Sequence, residues 1–275
     1  MTKHLALPFL VLALAFSGCV GGGDGSKDKK DTDTVGTPDT GPSADAGELK
    51  GSVTGKITDT DAVALEGVMV LACDDDSCIT AKTDAGGLYT IGLPLGWRKM
   101  QLMGTAKGKM NMLYYQNVEG TEPTAVSRDL VLVDMPTEDA AALPKEGGGT
   151  AVLVGGELKI TAADGVAVYP IGSVEEVYAS KSAAAHLPPY DQDDPWLGKE
   201  DGTFAFHINP LPVGVSEEGQ TFDFSVTGGA GDYVAYYVNS HYGTLHEIGQ
   251  VSADADGNIT GTVPELTTLI LVPAD

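Results

Sequence analysis

Between Phe204 and Val238 apolar side chains recur at every second position. Phe204, Phe206 and Ile208 alternate with Ala205 and His207; Phe222, Phe224 and Val226 alternate with Asp223 and Ser225; Val234, Tyr236 and Val238 alternate with Ala235 and Tyr237. A period of two sends successive side chains to opposite faces of an extended chain, so each run predicts a strand with one buried face. Turn chemistry falls between the runs at Asp164-Gly165, Asp201-Gly202, Gly228 to Gly231 and Asp256-Gly257-Asn258. No helical period persists beyond two turns, and only Glu138 to Leu143 and Lys181 to His186 read as short helices. The predicted fold class is all-β, with two antiparallel β-sandwich domains.

The N-terminal pattern is different. Lys3 and His4 precede an apolar run from Leu5 to Phe16, interrupted by Pro8 and followed by the small residues Ser17 and Gly18. That order predicts a secretory signal peptide over residues 1–18, too short to span a bilayer core, which takes about 20 apolar residues. The tetrapeptide Phe16-Ser17-Gly18-Cys19 resembles the lipobox of bacterial lipoproteins, with phenylalanine where leucine is usual. The resemblance implies that Cys19 receives a diacylglycerol, begins the mature chain and makes membrane lipid its first partner. Val20 stands where some lipoproteins carry an inner-membrane retention aspartate, which leans the expected location to the outer membrane of a bacterial cell envelope. Residues 19–49 hold almost no large apolar side chain and are rich in Asp, Thr, Pro, Gly and Ser, so they predict a disordered acidic tether.

Two folded segments follow. Gly55-Lys56-Ile57, Leu65-Glu66-Gly67-Val68 with Val70, and Thr83-Asp84 leading to Gly87, Tyr89, Ile91, Leu93, Pro94 and Gly96 resemble the carboxypeptidase regulatory-like domain, a transthyretin-like sandwich. The resemblance implies a module at 50–135 without catalytic residues, with Tyr89 and Ile91 pointing into its core. A composition break at 136–148, with Pro144 and Gly147 to Gly149, predicts a linker. The stretch Ser252 to Pro273 is similar to the closing hairpin and last strand of immunoglobulin-like sandwiches, which extends the second domain over 149–275. Besides Cys19 the chain has Cys73 and Cys78, flanking Asp74 to Ser77 at the mouth of an expected hairpin. Exported to an oxidising compartment they are expected to form a disulfide; with no histidine nearby in sequence they supply half a zinc shell at most.

Charge narrows the partners. With 16 basic against 39 acidic residues the chain carries a formal charge of −23, which excludes a phosphate-binding patch for nucleic acid and disfavours adhesion of the body to anionic lipid. An envelope protein or a polysaccharide remains.

Catalytic patterns each miss a required residue. His246-Glu247 is followed by Gln250 where a zinc-protease helix needs histidine; Gly104 to Lys109 is one residue short of a phosphate loop and continues with Met110 instead of a hydroxyl residue; no Gly-x-Ser-x-Gly elbow exists. His241 and His246 would meet only across a hairpin. Asp254, Asp256 and Asn258 mimic part of a calcium loop without its bidentate glutamate. The loop LPPYDQDDPWLG is the better candidate: Asp191, Asp193 and Asp194 offer hard oxygen ligands beside Tyr190 and Trp196, suiting calcium or a sugar ring stacked on an aromatic face. A Pro-stiffened connection that packs Trp196 onto the sandwich as a plug is the competing reading. Two functions follow. The preferred one is a non-enzymatic, lipid-anchored structural or binding scaffold with no cofactor; the alternative is an exported calcium-dependent carbohydrate-binding or hydrolytic protein using the loop 187–198.

Overall fold

The computed structural model describes residues 51–275 apart from 119–123, 128, 137, 171, 172, 174, 189 and 191–193. The signal segment, Cys19 and the tether lie outside the described residues. The first half builds β1 (Gly51–Asp59), β2 (Met69–Cys73), β3 (Cys78–Lys82), β4 (Leu88–Leu93), β5 (Gly96–Met103), β6 (Met112–Val118), β7 (Thr124–Ser127) and β8 (Leu130–Leu132). β1 pairs antiparallel with β4 and parallel with β7 and β8. Facing this sheet is a second, in the order β3-β2-β5-β6, whose register sets Val70 opposite Leu102, Ala72 opposite Met100 and Met100 opposite Tyr114. Residues directly opposite share a face, so these side chains form one apolar surface against Val53, Ile57, Tyr89 and Ile91. The buried hydroxyls of Tyr89 and Tyr114 lie 3.4 Å apart within that core.

Local chemistry sets the corners. Asp84 Oδ1 accepts from the N–H groups of Gly86 and Leu88 at 2.8 and 2.9 Å, closing the turn into β4. Gly87 follows with φ +76°, and a Cβ there would stand 2.5 Å from the Ile57 carbonyl oxygen, so the position requires glycine. Cys73 and Cys78 sit opposite each other at the end of the β2–β3 pair and are disulfide-bonded, with a Cα–Cα distance of 4.0 Å, as their spacing predicts.

The second half builds β9 (Ala141–Ala142), β10 (Gly149–Leu153), β11 (Leu158–Ala162), β12 (Ala167–Val168), β13 (Glu176–Ala183), β14 (Phe204–Asn209), β15 (Gly214–Val215), β16 (Phe222–Thr227), β17 (Asp232–Val238), β18 (Leu245–Ser252), β19 (Asn258–Val263) and β20 (Thr268–Pro273). A four-stranded sheet, β10-β11-β16-β19, packs on a six-stranded one, β18-β17-β20-β14-β13-β9. Phe222, Phe224, Val226 and Ile160 from the first meet Phe206, Ile208, Ala235, Leu269 and Leu271 from the second in one buried cluster. The fold is all-β, and the helices among the described residues are three-residue 3₁₀ turns. Neither segment expected to form a short helix does so: Ala141 and Ala142 pair with β13, and Lys181 to Ala183 complete β13 before the turn Ala184–His186. Cross-strand pairing outweighs even the high helix propensity of alanine, which tertiary context routinely overrides.

The alternation read from the second half needs one correction. β16 does bury one face, whereas β14 is buried on both, from Ala205 through Asn209. In β17 the side chains nearest the second-half core are Tyr233 and Ala235, with Tyr236 and Val238 on the other side of the strand. The reason is tertiary. Ala205, Val238, Ile270 and Val272 share a buried cluster with Leu113 and Tyr114 of β6, so the outer face of the six-stranded sheet is covered by the first half. All described residues fall within one compact unit.

Candidate functional site

The acidic loop of 187–198 places its two aromatic rings inward. Tyr190 and Trp196 are 4% and 5% exposed and meet edge to face at 5.9 Å, in the cluster that also holds Leu113, Leu187 and Leu211. The Tyr190 hydroxyl donates to the Leu113 carbonyl at 3.5 Å, and burial, with Asp194 adding to it, holds its phenol far above the ordinary range. Asp194 Oδ1 accepts the Tyr190 N–H at 3.3 Å. Asp191 and Asp193 lie outside the described residues. The expectation that Tyr190 and Trp196 present faces to a sugar is therefore corrected: each ring is worth more against Leu113 and Leu187 than in water, because an aromatic side chain removes roughly 150–250 Å² from solvent when buried. Trp196 is a plug.

The histidines separate. His207 is fully buried, with Nε2 2.9 Å from Ser182 Oγ and Nδ1 3.2 Å from Thr268 Oγ1. Burial, reinforced by nearby His186, pushes its pKa down from 6.5 to about 4, so the imidazole is neutral at physiological pH. A serine beside a histidine would suggest a nucleophile and its base, but this pair is sealed from any substrate. His246 lies against Tyr237 with ring centres 5.5 Å apart and planes tilted by 44°, and has Thr244 Oγ1 3.0 Å from Nε2, while His241 turns away to Asp75; they do not form a shared ligand pair. Among the described residues no group of three or more His, Cys, Asp or Glu side chains is placed to hold a metal ion. Asp254 Oδ1 is engaged by the N–H groups of Asp256 and Asn258 at 2.9 and 2.8 Å, which makes the partial calcium pattern the turn between β18 and β19.

A second constellation emerges where the halves meet, one that sequence reasoning missed. Trp97 on β5 approaches Tyr242 edge to face at 5.2 Å, and Tyr242 in turn stands 4.2 Å from the His241 ring at 81°. Asp75, in the loop closed by the disulfide, meets His241 Nε2 at 3.1 Å. Asp75 and Trp97 lie more than a hundred positions before His241 and Tyr242 in the chain, and no local pattern announces their meeting. The turn is tightly built: Asn239 Oδ1 accepts the N–H groups of His241 and Tyr242, each at 3.1 Å, and the Ser240 N–H donates to Glu265 Oε1 at 2.8 Å. Gly243, with φ +75°, lies on β6 so closely that a Cβ would stand 2.5 Å from the Tyr114 carbonyl oxygen. On the opposite side Asp74 accepts the Ser77 and Asp76 N–H groups and pairs with Arg98 at 3.3 Å; those contacts hold its carboxyl below 3.8 despite the opposing effect of burial.

Elsewhere the outer face of the β10-β11-β16-β19 sheet carries a shallow depression of about 380 Å³ lined by Thr150, Lys159, Thr161, Asp223, Thr260 and Thr262. Among the described residues no helix is long and apolar enough to cross a membrane.

No protein-family model matches the chain. No curated protein matches it either. Among solved structures it is similar to a DUF3823 family protein from Bacteroides ovatus, at 14% identity and a TM-score of 0.25, over 78% of this chain and 81% of that one. It is also similar to a streptococcal ancillary pilin, at 12% identity and a TM-score of 0.26, over 80% of this chain and 51% of that one. A third likeness is to BcpA, the major pilin subunit of Bacillus cereus, at 13% identity and a TM-score of 0.28, over 81% and 59% of the two chains.

Proposed function

We propose that this chain is a lipid-anchored, non-enzymatic protein of a bacterial cell envelope, whose β-sandwiches act as a structural or binding scaffold. In this reading residues 1–18 are removed on export, Cys19 is acylated, residues 19–49 form the tether, and a regulatory-like sandwich at 50–135 is followed by an immunoglobulin-like one at 149–275. The location is the outer membrane, and the partner is an envelope protein or a polysaccharide. One observation carries the scaffold reading: the functional-looking interior groups, Tyr190, Trp196 and the Ser182–His207 pair, are all sealed into the packing, which suits a rigid body and leaves no reacting centre among them. The alternative of a carbohydrate-active loop at 187–198 loses its aromatic component for the same reason.

Growth with an alkyne-bearing palmitate analogue, followed by membrane fractionation, tests the anchor. The wild-type chain is expected to label and to sediment with membranes, and Cys19→Ser to do neither. Unlabelled wild-type chain in the soluble fraction overturns the reading.

A further inference from the structure

The turn from β18 into β19 reads Asp256-Gly257-Asn258-Ile259-Thr260: an asparagine with a hydroxyl residue two positions after it and a carboxylate two positions before. Of the five asparagines in the chain, Asn258 is the one followed at that distance by Ser or Thr. Asn-x-Ser/Thr is the acceptor pattern for N-linked oligosaccharide in exported chains, and bacterial transferases add the acidic residue to it. The strand turns this pattern outward. With a period of two, Ile259 enters the core, whereas Asn258 is half-buried and Thr260 exposed on the opposite, outer face of the sheet. β19 ends the strand order β10-β11-β16-β19, so one side of it is an edge, and Asp256 stands exposed in the turn beside Gly257, which takes φ +77°. The Asn258 amide is lightly held: Thr227 Oγ1 donates to its Oδ1 at 3.0 Å, and its Nδ2 lies 3.4 and 3.3 Å from the Asp254 carboxylate oxygens, at the long end of hydrogen bonding. Asn111 and Asn209 are instead buried in the seam.

We propose that Asn258 is a glycosylation site, taking an oligosaccharide from a polyprenyl-pyrophosphate donor. Asn258 Nδ2 forms a bond to the anomeric carbon of the first sugar. The bond from that carbon to the pyrophosphate oxygen breaks, the polyprenyl pyrophosphate leaves with the electron pair, and one amide proton passes to a base of the transferase. Nothing is oxidised or reduced. Thr260 supplies the hydroxyl and Asp256 the carboxylate by which the transferase selects this asparagine; both are exposed, so recognition does not require the core to open. The attached chain then lies at the end of the outer sheet face, whose shallow depression is lined by Thr150, Thr161, Thr260 and Thr262, a hydroxyl-bearing surface that keeps its hydration beside a sugar. The proposal rests on the reading of the chain as exported, because transfer takes place on the outer side of the cytoplasmic membrane; palmitate labelling reports export by itself, so the two failures are distinguishable.

Two measurements test it. Folded full chain bearing Cys19→Ser is incubated with a single-subunit bacterial oligosaccharyltransferase and an undecaprenyl-pyrophosphate-linked heptasaccharide, and the product is read by intact mass and by the mass of the peptide that carries Asn258. One heptasaccharide is expected per chain, on Asn258. Asp256→Asn and Thr260→Val, both at exposed positions, are each expected to cut transfer at least tenfold, and Thr260→Ser to retain it. In the second measurement the same peptide is examined in wild-type chain purified from the envelope of its own cell, where a sugar mass on Asn258 is expected. No transfer to the folded chain, transfer to a different asparagine, transfer undiminished in Thr260→Val, or a bare Asn258 in the chain from its own envelope overturns the proposal. Because the wild-type turn and the Thr260→Ser chain are read directly, the result does not depend on an Asn258 variant folding.

Discussion

The side-chain amide of Asn209 does for Asn111 what a neighbouring strand would do: its Oδ1 accepts the Asn111 N–H at 3.2 Å and its Nδ2 donates to the Asn111 carbonyl at 3.4 Å. Both residues are buried, and Asn111 Oδ1 in turn accepts the Gly104 N–H at 2.8 Å. A polar relay thus crosses the seam between the two halves inside an otherwise apolar region. Asn209→Leu leaves a backbone donor and acceptor buried without that partner, each costing roughly 1–3 kcal/mol. Urea denaturation is expected to show a loss of about 2–4 kcal/mol for this variant on the same grounds; a loss under about 0.5 kcal/mol would mean that water replaces the amide at no cost.

Trp196 is expected to behave as a core residue. Trp196→Ala removes a buried ring from against Tyr190 and leaves a void, so stability is expected to fall by about 3–5 kcal/mol. Trp97→Ala, in the partly exposed cluster, is expected to lose less than half as much. Equal losses in denaturant titrations would contradict the burial difference between the two sites.

His207 makes stability depend on pH in a definite direction. Its folded pKa is depressed to about 4 from 6.5, so between those values the unfolded chain binds a proton that the folded chain refuses. The stabilisation is full above pH 6.5, diminishes as pH falls, and is lost on passing pH 4, amounting to on the order of 3 kcal/mol for this buried group. An imidazole carbon-proton signal that titrates near pH 6.5 for His207 would refute this. His207→Gln is expected to flatten the stability profile in that window while lowering stability at neutral pH.

Removing the disulfide tests what it holds. In the chain-entropy account a loop this short contributes about 2 kcal/mol, and Cys73→Ser with Cys78→Ser is expected to lose that amount in thermal unfolding. The contact between Asp75 and His241 is also expected to weaken, since the loop bearing Asp75 is no longer closed at its base; the His241 imidazole signals then move toward those of the Asp75→Asn variant. Unchanged signals would show that the Asp74 turn alone fixes the loop.

Much of the architecture was legible in the chain. Alternation identified β14, β16 and β17, the Asp84 and Asp254 turns stood at the ends of runs, and Cys73 and Cys78 were spaced for the hairpin they close. The candidate site was less legible. Tyr190 and Trp196 read as a ligand platform or as a plug, since a ring beside carboxylates has the same local sequence in both cases. Trp97 and Tyr242 carried no signal, because their meeting depends on how the β17–β18 turn lies against β5 and β6.

The sequence by itself determined where strands form and turn, because side-chain period and the backbone freedom of residues such as Gly87 are properties of a few neighbouring positions. Only the tertiary structure decided which faces are covered. Ala205, His207 and Asn209 look like a solvent face by their small or polar side chains, yet they are buried: Ala205 joins a cluster with Leu113 and Tyr114 of β6 and with Leu187 and Trp196, while Asn111, Ser182 and Thr268 supply hydrogen-bond partners to Asn209 and His207. Burial is a relation between distant segments, and a local pattern records only one side of it.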